Sequence, residues 1–372
     1  MKLLIGADPE FFVRDPTTST IVSAYGLIEG TKQAPLPVNK GAAQVDGMAL
    51  EFNIHPADNP FDFNNNIQTV IGEMHRLVPN HEFVFESVAD FSAEYMKDQT
   101  EEAKKLGCEP DFDAYTLKPM ERPTGDEVNF RTASGHIHLG WTENEDPTNP
   151  EHIEACSMMV KQLDQILGVA SVVWDPNPRR RELYGKAGAF RPKPYGVEYR
   201  VMSNAWVNDE GLRILVFEAA KYAFDRLMAG ENWYEKFGSD RLIDIINSSN
   251  HRQAYLYATD MLHPLGYSSV MNSLYKKNKT DKDKIIDDGL SLTTAQLYPD
   301  KEHLQKAIDF LAKQNKKPWA MKNDFMLAKQ MAQAPVQPPP KPAVPVNQWF
   351  AEQMDLEAAL FEQENNPLED NF

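Results

Sequence analysis

Alternating apolar and polar positions dominate the first 230 residues, interrupted by stretches with the 3.6-residue period of an amphipathic helix. Residues 3–14, LLIGADPEFFVR, read as a strand with a charged pair near its middle. Strand-like runs follow at TIVSAYGLI and AQVDGMALEFNIHP, separated by a loop rich in Pro and Gly. Asp58-Asn59-Pro60 opens a helix whose Ile67, Val70, Ile71, Met74 and Leu77 fall at i, i+3, i+4 spacing. EFVFESVADF predicts another strand, residues 94–106 an exposed polar helix, and residues 107–130 a long loop. After the HIHLGW strand, Pro150 starts a helix through about Leu167 with Ile153, Cys156, Met159, Val160, Leu163 and Leu167 on one stripe. FRPKPYGVEYRVMSNAW is the last strand region, and Asn208-Asp209 caps a helix running to about Met228.

Beyond residue 230 strand character is lost. Residues 231–333 read as a helical extension packed on the preceding part, with Lys276 to Lys284 a charged connector. APVQPPPKPAVPV makes residues 334–346 a Pro-rich, semi-rigid linker. Residues 347–372 form an acidic amphipathic tail, with seven Asp or Glu and no Lys or Arg. Its Trp349, Phe350, Met354 and Phe361 could dock into the groove of a protein partner or pack back on the chain's own domain.

The chain of 372 residues carries a formal net charge of -17, which argues against general nucleic-acid binding because a phosphate backbone needs a basic footprint. The two cysteines, Cys108 and Cys156, have no CxxC spacing, so neither a disulfide framework nor a structural zinc site is expected. A reducing cytoplasm fits best. No apolar run of about 18 residues appears, so no membrane span is expected.

Four segments place metal-capable or polar residues two apart in strand-like surroundings: Asp8 and Glu10, Glu51 and Asn53, His136 and His138, Glu198 and Arg200. On a strand, residues i and i+2 share a face, so each pair converges on one side of a sheet. Carboxylates and imidazoles gathered there need cations and phosphates to offset their desolvation. Gly135 and Gly140 flank the histidines and would let a backbone or phosphate approach closely. Pro9 removes a ladder donor between Asp8 and Glu10, which points to an edge or the rim of a cleft. Asp46 falls on the opposite phase from Glu51 unless Gly47 makes a bulge, so Glu51 is the stronger candidate. The run from Arg179 through Lys193 concentrates Arg181, Lys186, Arg191 and Lys193 ahead of Glu198 and Arg200, as phosphoryl chemistry requires. Neither a P-loop nor a GxGxxG follows a strand, so any nucleotide site is of another kind.

In this order, GADPEFF, DGMALEFN, SGHIHLGW and YGKAGAFRPKPYGVEYR resemble the glutamine synthetase and glutamate-cysteine ligase superfamily. They look most like the carboxylate-amine ligase family of tailed phages, over roughly residues 1–210. The resemblance implies an α+β fold: a glutamine-synthetase-like curved antiparallel sheet with helices on its outer face, followed here by the helical C-terminal half. It makes residues 1–230 a ligase-like catalytic core using ATP and Mg²⁺, acting through an acyl phosphate that an amine displaces. Carried over by motif, Asp8, Glu10, Glu51, His136 and Glu198 would be metal ligands, and Arg200, Arg191 and Lys186 the phosphate-contacting catalytic cations. His138, Lys193, Arg181 and Asn53 would bind the nucleotide. Asp46 and Glu51 stand five apart, closer than the paired glutamates of glutamine synthetase. That enzyme's ammonia-binding features have no counterpart here, which favours an amino acid, peptide or polyamine as the amine. The acid would be a small-molecule or peptide carboxylate, and a phage-encoded chain would work in the host cytoplasm.

Two other readings compete. A metal-dependent hydrolase would use the HIH pair as zinc ligands with further histidines among His152, His251, His263 and His303. A virion or scaffold protein on a catalytically silent ligase fold would use the linker and tail as its working part.

Overall fold

The computed structural model describes residues 2–104, 111–120, 129–281 and 283. The linker and acidic tail, and most of the expected helices after residue 278, lie outside the described residues. Those described up to Asn278 belong to one compact unit.

The architecture is α+β, as the sequence predicts. Strand β1 spans Leu4–Asp15, with short β2 at Thr20–Val22, β3 at Leu36–Val38, β4 at Gly41–Asp46 and β5 at Ala49–Ile54. Helix α1 covers Pro60–Leu77, followed by β6 at Glu82–Val84 and β7 at Val88–Asp90. Short helices α2, Ala93–Lys97, and α3, Glu101–Lys104, precede β8 at Phe112–Asp113, β9 at Lys118–Pro119, β10 at Phe130–Thr132 and β11 at Gly135–Gly140. Helix α4, Pro150–Leu163, continues through a π-helical turn, Asp164–Gly168, into α5, Val169–Trp174. Helix α6 is Arg180–Leu183, β12 Ala189–Lys193, β13 Gly196–Tyr199 and α7 Glu210–Met228. Helices α8 to α11 follow at Trp233–Phe237, Asp240–Asn247, His251–Met261 and Ser268–Lys277.

The main sheet runs β3-β4-β5-β1-β11-β13-β12-β8-β9, every described pairing antiparallel; β7 and β10 form a separate two-stranded sheet. Alternation then separates chemistry from packing. Ile5, Ala7 and Phe11 of β1, Leu50 and Phe52 of β5, Ile137 and Leu139 of β11, and Val197 and Tyr199 of β13 all join the main core. Against that face α1 packs on β4 and β5, and α4 on β12 and β13, with α7 bridging the two helices. Phe63, Ile67, Val70 and Met74 of α1 are buried, each contributing about 1.5–3 kcal/mol. Asn59 caps this helix, its side chain accepting from Asp62 N, with Pro60 at the first turn. In the last part, α10 and α11 pack on α5.

Several sequence readings change: EFVFESVADF divides into β6 on β1 and β7 on β10, the expected polar helix from residue 94 is two short helices, and the expected loop 107–130 carries β8 and β9. Residues 43–56 are not one strand but a hairpin, Asp46 paired with Ala49 and Gln44 with Glu51 around a two-residue turn where Gly47 has φ 56°. Pro9 does not mark a sheet edge, because β1 is central. β11 pairs with β1 as far as Pro9 and β5 pairs from Glu10, so the missing amide falls where one partner hands over to the other.

Candidate active site

The register brings the four polar pairs to one face. Asp8 lies opposite His136, Glu10 opposite Glu51, and His138 and Arg191 both opposite Glu198. A cavity of about 470 Å³ opens on this face, lined by Asp8, Glu10, Asp46, Glu51, His136 and Glu198 together with Arg191, Lys193 and Arg200. Phe12, Met48 and Ala49, part of a second, smaller apolar cluster, also line it.

Two groups of ligand-type atoms stand in or beside it. Glu10, Asp46 and Glu51 offer carboxylate oxygens within 4.8 Å of one another, and so do Asp8, His138 and Glu198 with one ligand atom each. In the first group Ser134 N donates to Glu10 Oε2 at 2.8 Å, Gln44 Nε2 to Glu51 Oε2 at 2.8 Å, and Lys32 Nζ sits 2.6 Å from Asp46 Oδ2. Burial, then the Asp46 charge, pushes Glu10 up to about 7. Burial and the Asp46, Asp8 and Glu10 charges push Glu51 well above the usual carboxylate range. A like-charged, all-oxygen set, with Glu51 buried and Glu10 and Asp46 half-buried, is what a hard divalent cation relieves, so these residues fit Mg²⁺.

The second group is wired differently. His138 Nε2 lies 3.0 Å from Asp8 Oδ1, and Nδ1 lies 2.6 Å from the Tyr195 hydroxyl. Burial opposes charge on this ring, but Asp8 and Glu198 raise its pKa overall. Glu198 is bonded by Arg200, meets Lys193 Nζ at 2.8 Å and has Arg191 NH1 at 4.0 Å. Burial opposes its charge too, yet Arg200, His138 and Lys193 hold it well below the ordinary range. Arg200 Nε also donates to Asp111 at 2.7 Å, and its NH1 faces His136 Nδ1 at 3.1 Å. Burial and that guanidinium push His136 well down, leaving it neutral and able to accept.

Four expected residues are not in the cavity lining: His138, which meets it through Asp8, and three that stand apart from it. Lys186 is exposed in the loop before β12, and Asn53 is exposed on β5 opposite Ala42. Arg181 is buried on the helical side, where NH1 donates to Ser249 Oγ at 3.0 Å. Gly135 serves packing here: a Cβ would come within 2.4 Å of Trp206 Nε1 and of Ser203 O. His152 and His251 are also elsewhere, bonded to the carbonyls of Lys193 and Val173, and His263 faces Ser268; His303 lies outside the described residues.

Asp111, Lys32, Arg131 and Tyr184 were not foreseen. The last three line the cavity, and Asp111 holds Arg200 from behind. Nothing in the local pattern marks Asp111, which sits in the expected loop.

Fold and site together define an α+β protein with cation-type and anion-type groups on one antiparallel sheet face. Residues 127–236 match the family model described as phage phiEco32-like COOH.NH2 ligase-type 2, so this segment carries the signature of the carboxylate-amine ligase family the motifs resemble. The matched segment includes β11, α4, β12 and β13. A solved structure described as a novel glutamine synthase homolog is 14% identical, with a TM-score of 0.29, covering 80% of this chain and 71% of that one. No curated protein matches the chain. Among the described residues no helix is long and apolar enough to cross a membrane.

Proposed function

We propose that this chain is an ATP- and Mg²⁺-dependent carboxylate-amine ligase that forms an amide through an acyl phosphate. The observation that carries the reading is the gathering of Glu10, Asp46, Glu51, Asp8 and Glu198 beside Arg191, Lys193 and Arg200 around one cavity, with His138 reaching it through Asp8. Divalent cations held by the two clusters would neutralise phosphate charge. Asp8 and Glu198 would then trade their present partners for the cation, and Arg191, Lys193 and Arg200 would turn to phosphate oxygens. Arg200, anchored on Asp111, stays aimed at the cavity throughout. The protein's work is positioning and charge neutralisation, with the amine supplied by an amino acid, peptide or polyamine. A phage-encoded enzyme of this kind would act in the host cytoplasm.

Phosphate release from ATP with Mg²⁺, measured across a panel of amino acids, short peptides and polyamines, tests this. Particular acid and amine pairs should stimulate release, and Glu198→Ala and Glu51→Gln should each abolish the stimulation. A chain that neither binds nor turns over ATP overturns the ligase reading and leaves the silent-scaffold one.

A further inference from the structure

His138 is held at both ring nitrogens, and only one of those contacts belongs to a candidate ligand. Nε2 faces Asp8 Oδ1 at 3.0 Å; Nδ1 faces the Tyr195 hydroxyl at 2.6 Å. We infer that Tyr195 is a positioning residue for the Asp8–His138–Glu198 cation cluster, its hydroxyl fixing the imidazole so that Nε2 is the atom offered to the cation. This rests on the ligase reading's assignment of cation clusters.

The fold delivers the hydroxyl firmly. Pro194 and Tyr195 are the two-residue turn between β12 and β13, since Lys193 pairs with Gly196. The Tyr195 carbonyl accepts from Trp141 N at 2.9 Å and Thr142 N at 3.2 Å, which pins the turn to the chain leaving β11. The same turn therefore sets both the phenol and the strand that carries His138. A histidine can ligate through Nε2 only when that nitrogen is unprotonated, which places the ring's proton on Nδ1. There the Tyr195 oxygen is in position to accept it. Partners of this kind fix the ring's tautomer and direction, and their loss costs about 10–100-fold in metal affinity. The Glu10–Asp46–Glu51 cluster is positioned by Ser134, Gln44 and Lys32 and has no need of Tyr195.

That difference makes the inference testable with Mn²⁺ alone. Free Mn²⁺ is followed by electron paramagnetic resonance as the ion is titrated into the full chain without nucleotide. Wild type should show two classes of site, and Glu51→Gln should remove one. Tyr195→Phe should weaken the other about 10–100-fold, with the first class and the metal-free melting point unchanged. Tyr195 is 37% exposed, so the phenyl ring is accommodated without repacking. Wild-type affinity at both classes in Tyr195→Phe overturns the inference. So does equal weakening of both classes with a lowered melting point, which would mark a structural role. A wild-type chain that binds no Mn²⁺ removes the cation clusters from the ligase reading and this inference with them, which separates that failure from one specific to Tyr195.

Discussion

Asp164 is fully buried in the π-helical turn behind the sheet, where it accepts from Tyr199 at 2.6 Å, Tyr115 at 2.9 Å and Gly188 N at 2.7 Å. Burial outweighs these three donors and pushes its carboxyl up to about 7. A carboxyl whose pKa is raised in the folded chain binds its proton there when the unfolded chain has already lost it. Its contribution is thus fully favourable below the unfolded value and is lost as pH rises through about 7. Glu10 and Glu51 are raised as well and act in the same direction in the cation-free protein. Stability measured by urea unfolding should therefore fall between pH 5 and pH 8, and Asp164→Asn should remove on the order of 2 kcal/mol of that fall. An unchanged slope would show that Asp164 ionises freely in the folded state.

At the scale of elements, the HIH strand depends on what passes beneath it. Trp206 is fully buried, donates from Nε1 to Gly135 O at 3.0 Å and lies nearly parallel to Phe63 at 6.1 Å. A Cβ at position 135 has no room beside it, so Gly135→Ala should cost about 1–3 kcal/mol in urea unfolding. An unperturbed midpoint would show that both the indole and the Ser203 backbone can give way. Much of this level was legible in the sequence, because β1, α1, α4 and α7 have long, regular patterns that tertiary packing then uses unchanged. The hairpin at residues 41–54 was harder: apolar alternation runs on both sides of Gly47, and only the turn reveals that Asp46 shares a face with Glu51. The same logic explains the site residues. Pairs spaced by two on one strand declared themselves, whereas Asp111, Lys32 and Tyr184 reach the site from loops, where spacing carries no directional information.

For the whole molecule, an acidic chain of net charge -17 brings three carboxylates, one buried and two half-buried, together beside Lys32. On the proposed reading, that arrangement is completed by a cation, and binding to the folded state alone stabilises it by mass action. Mg²⁺ at about 100 times its Kd should add about 3 kcal/mol, read as a raised thermal midpoint. Glu51→Gln should lose the share of that response carried by the three-carboxylate cluster while melting higher than wild type without metal. A wild-type midpoint indifferent to Mg²⁺ would argue that the three carboxylates are reconciled by protonation alone.

The division of β1, β5, β11 and β13 into an apolar face and one that carries the ionisable groups has an evolutionary side. Substitutions that retire the ionisable face leave the core untouched, and those that neutralise a crowded carboxylate stabilise the cation-free fold. On the proposed reading, activity in such a chain would be held in place by selection for the reaction, because drift toward an inert, sturdier descendant runs energetically downhill. Relatives that keep the Ile5, Phe11, Phe52 and Ile137 side of the sheet while losing its acidic side would be the expected trace of that drift.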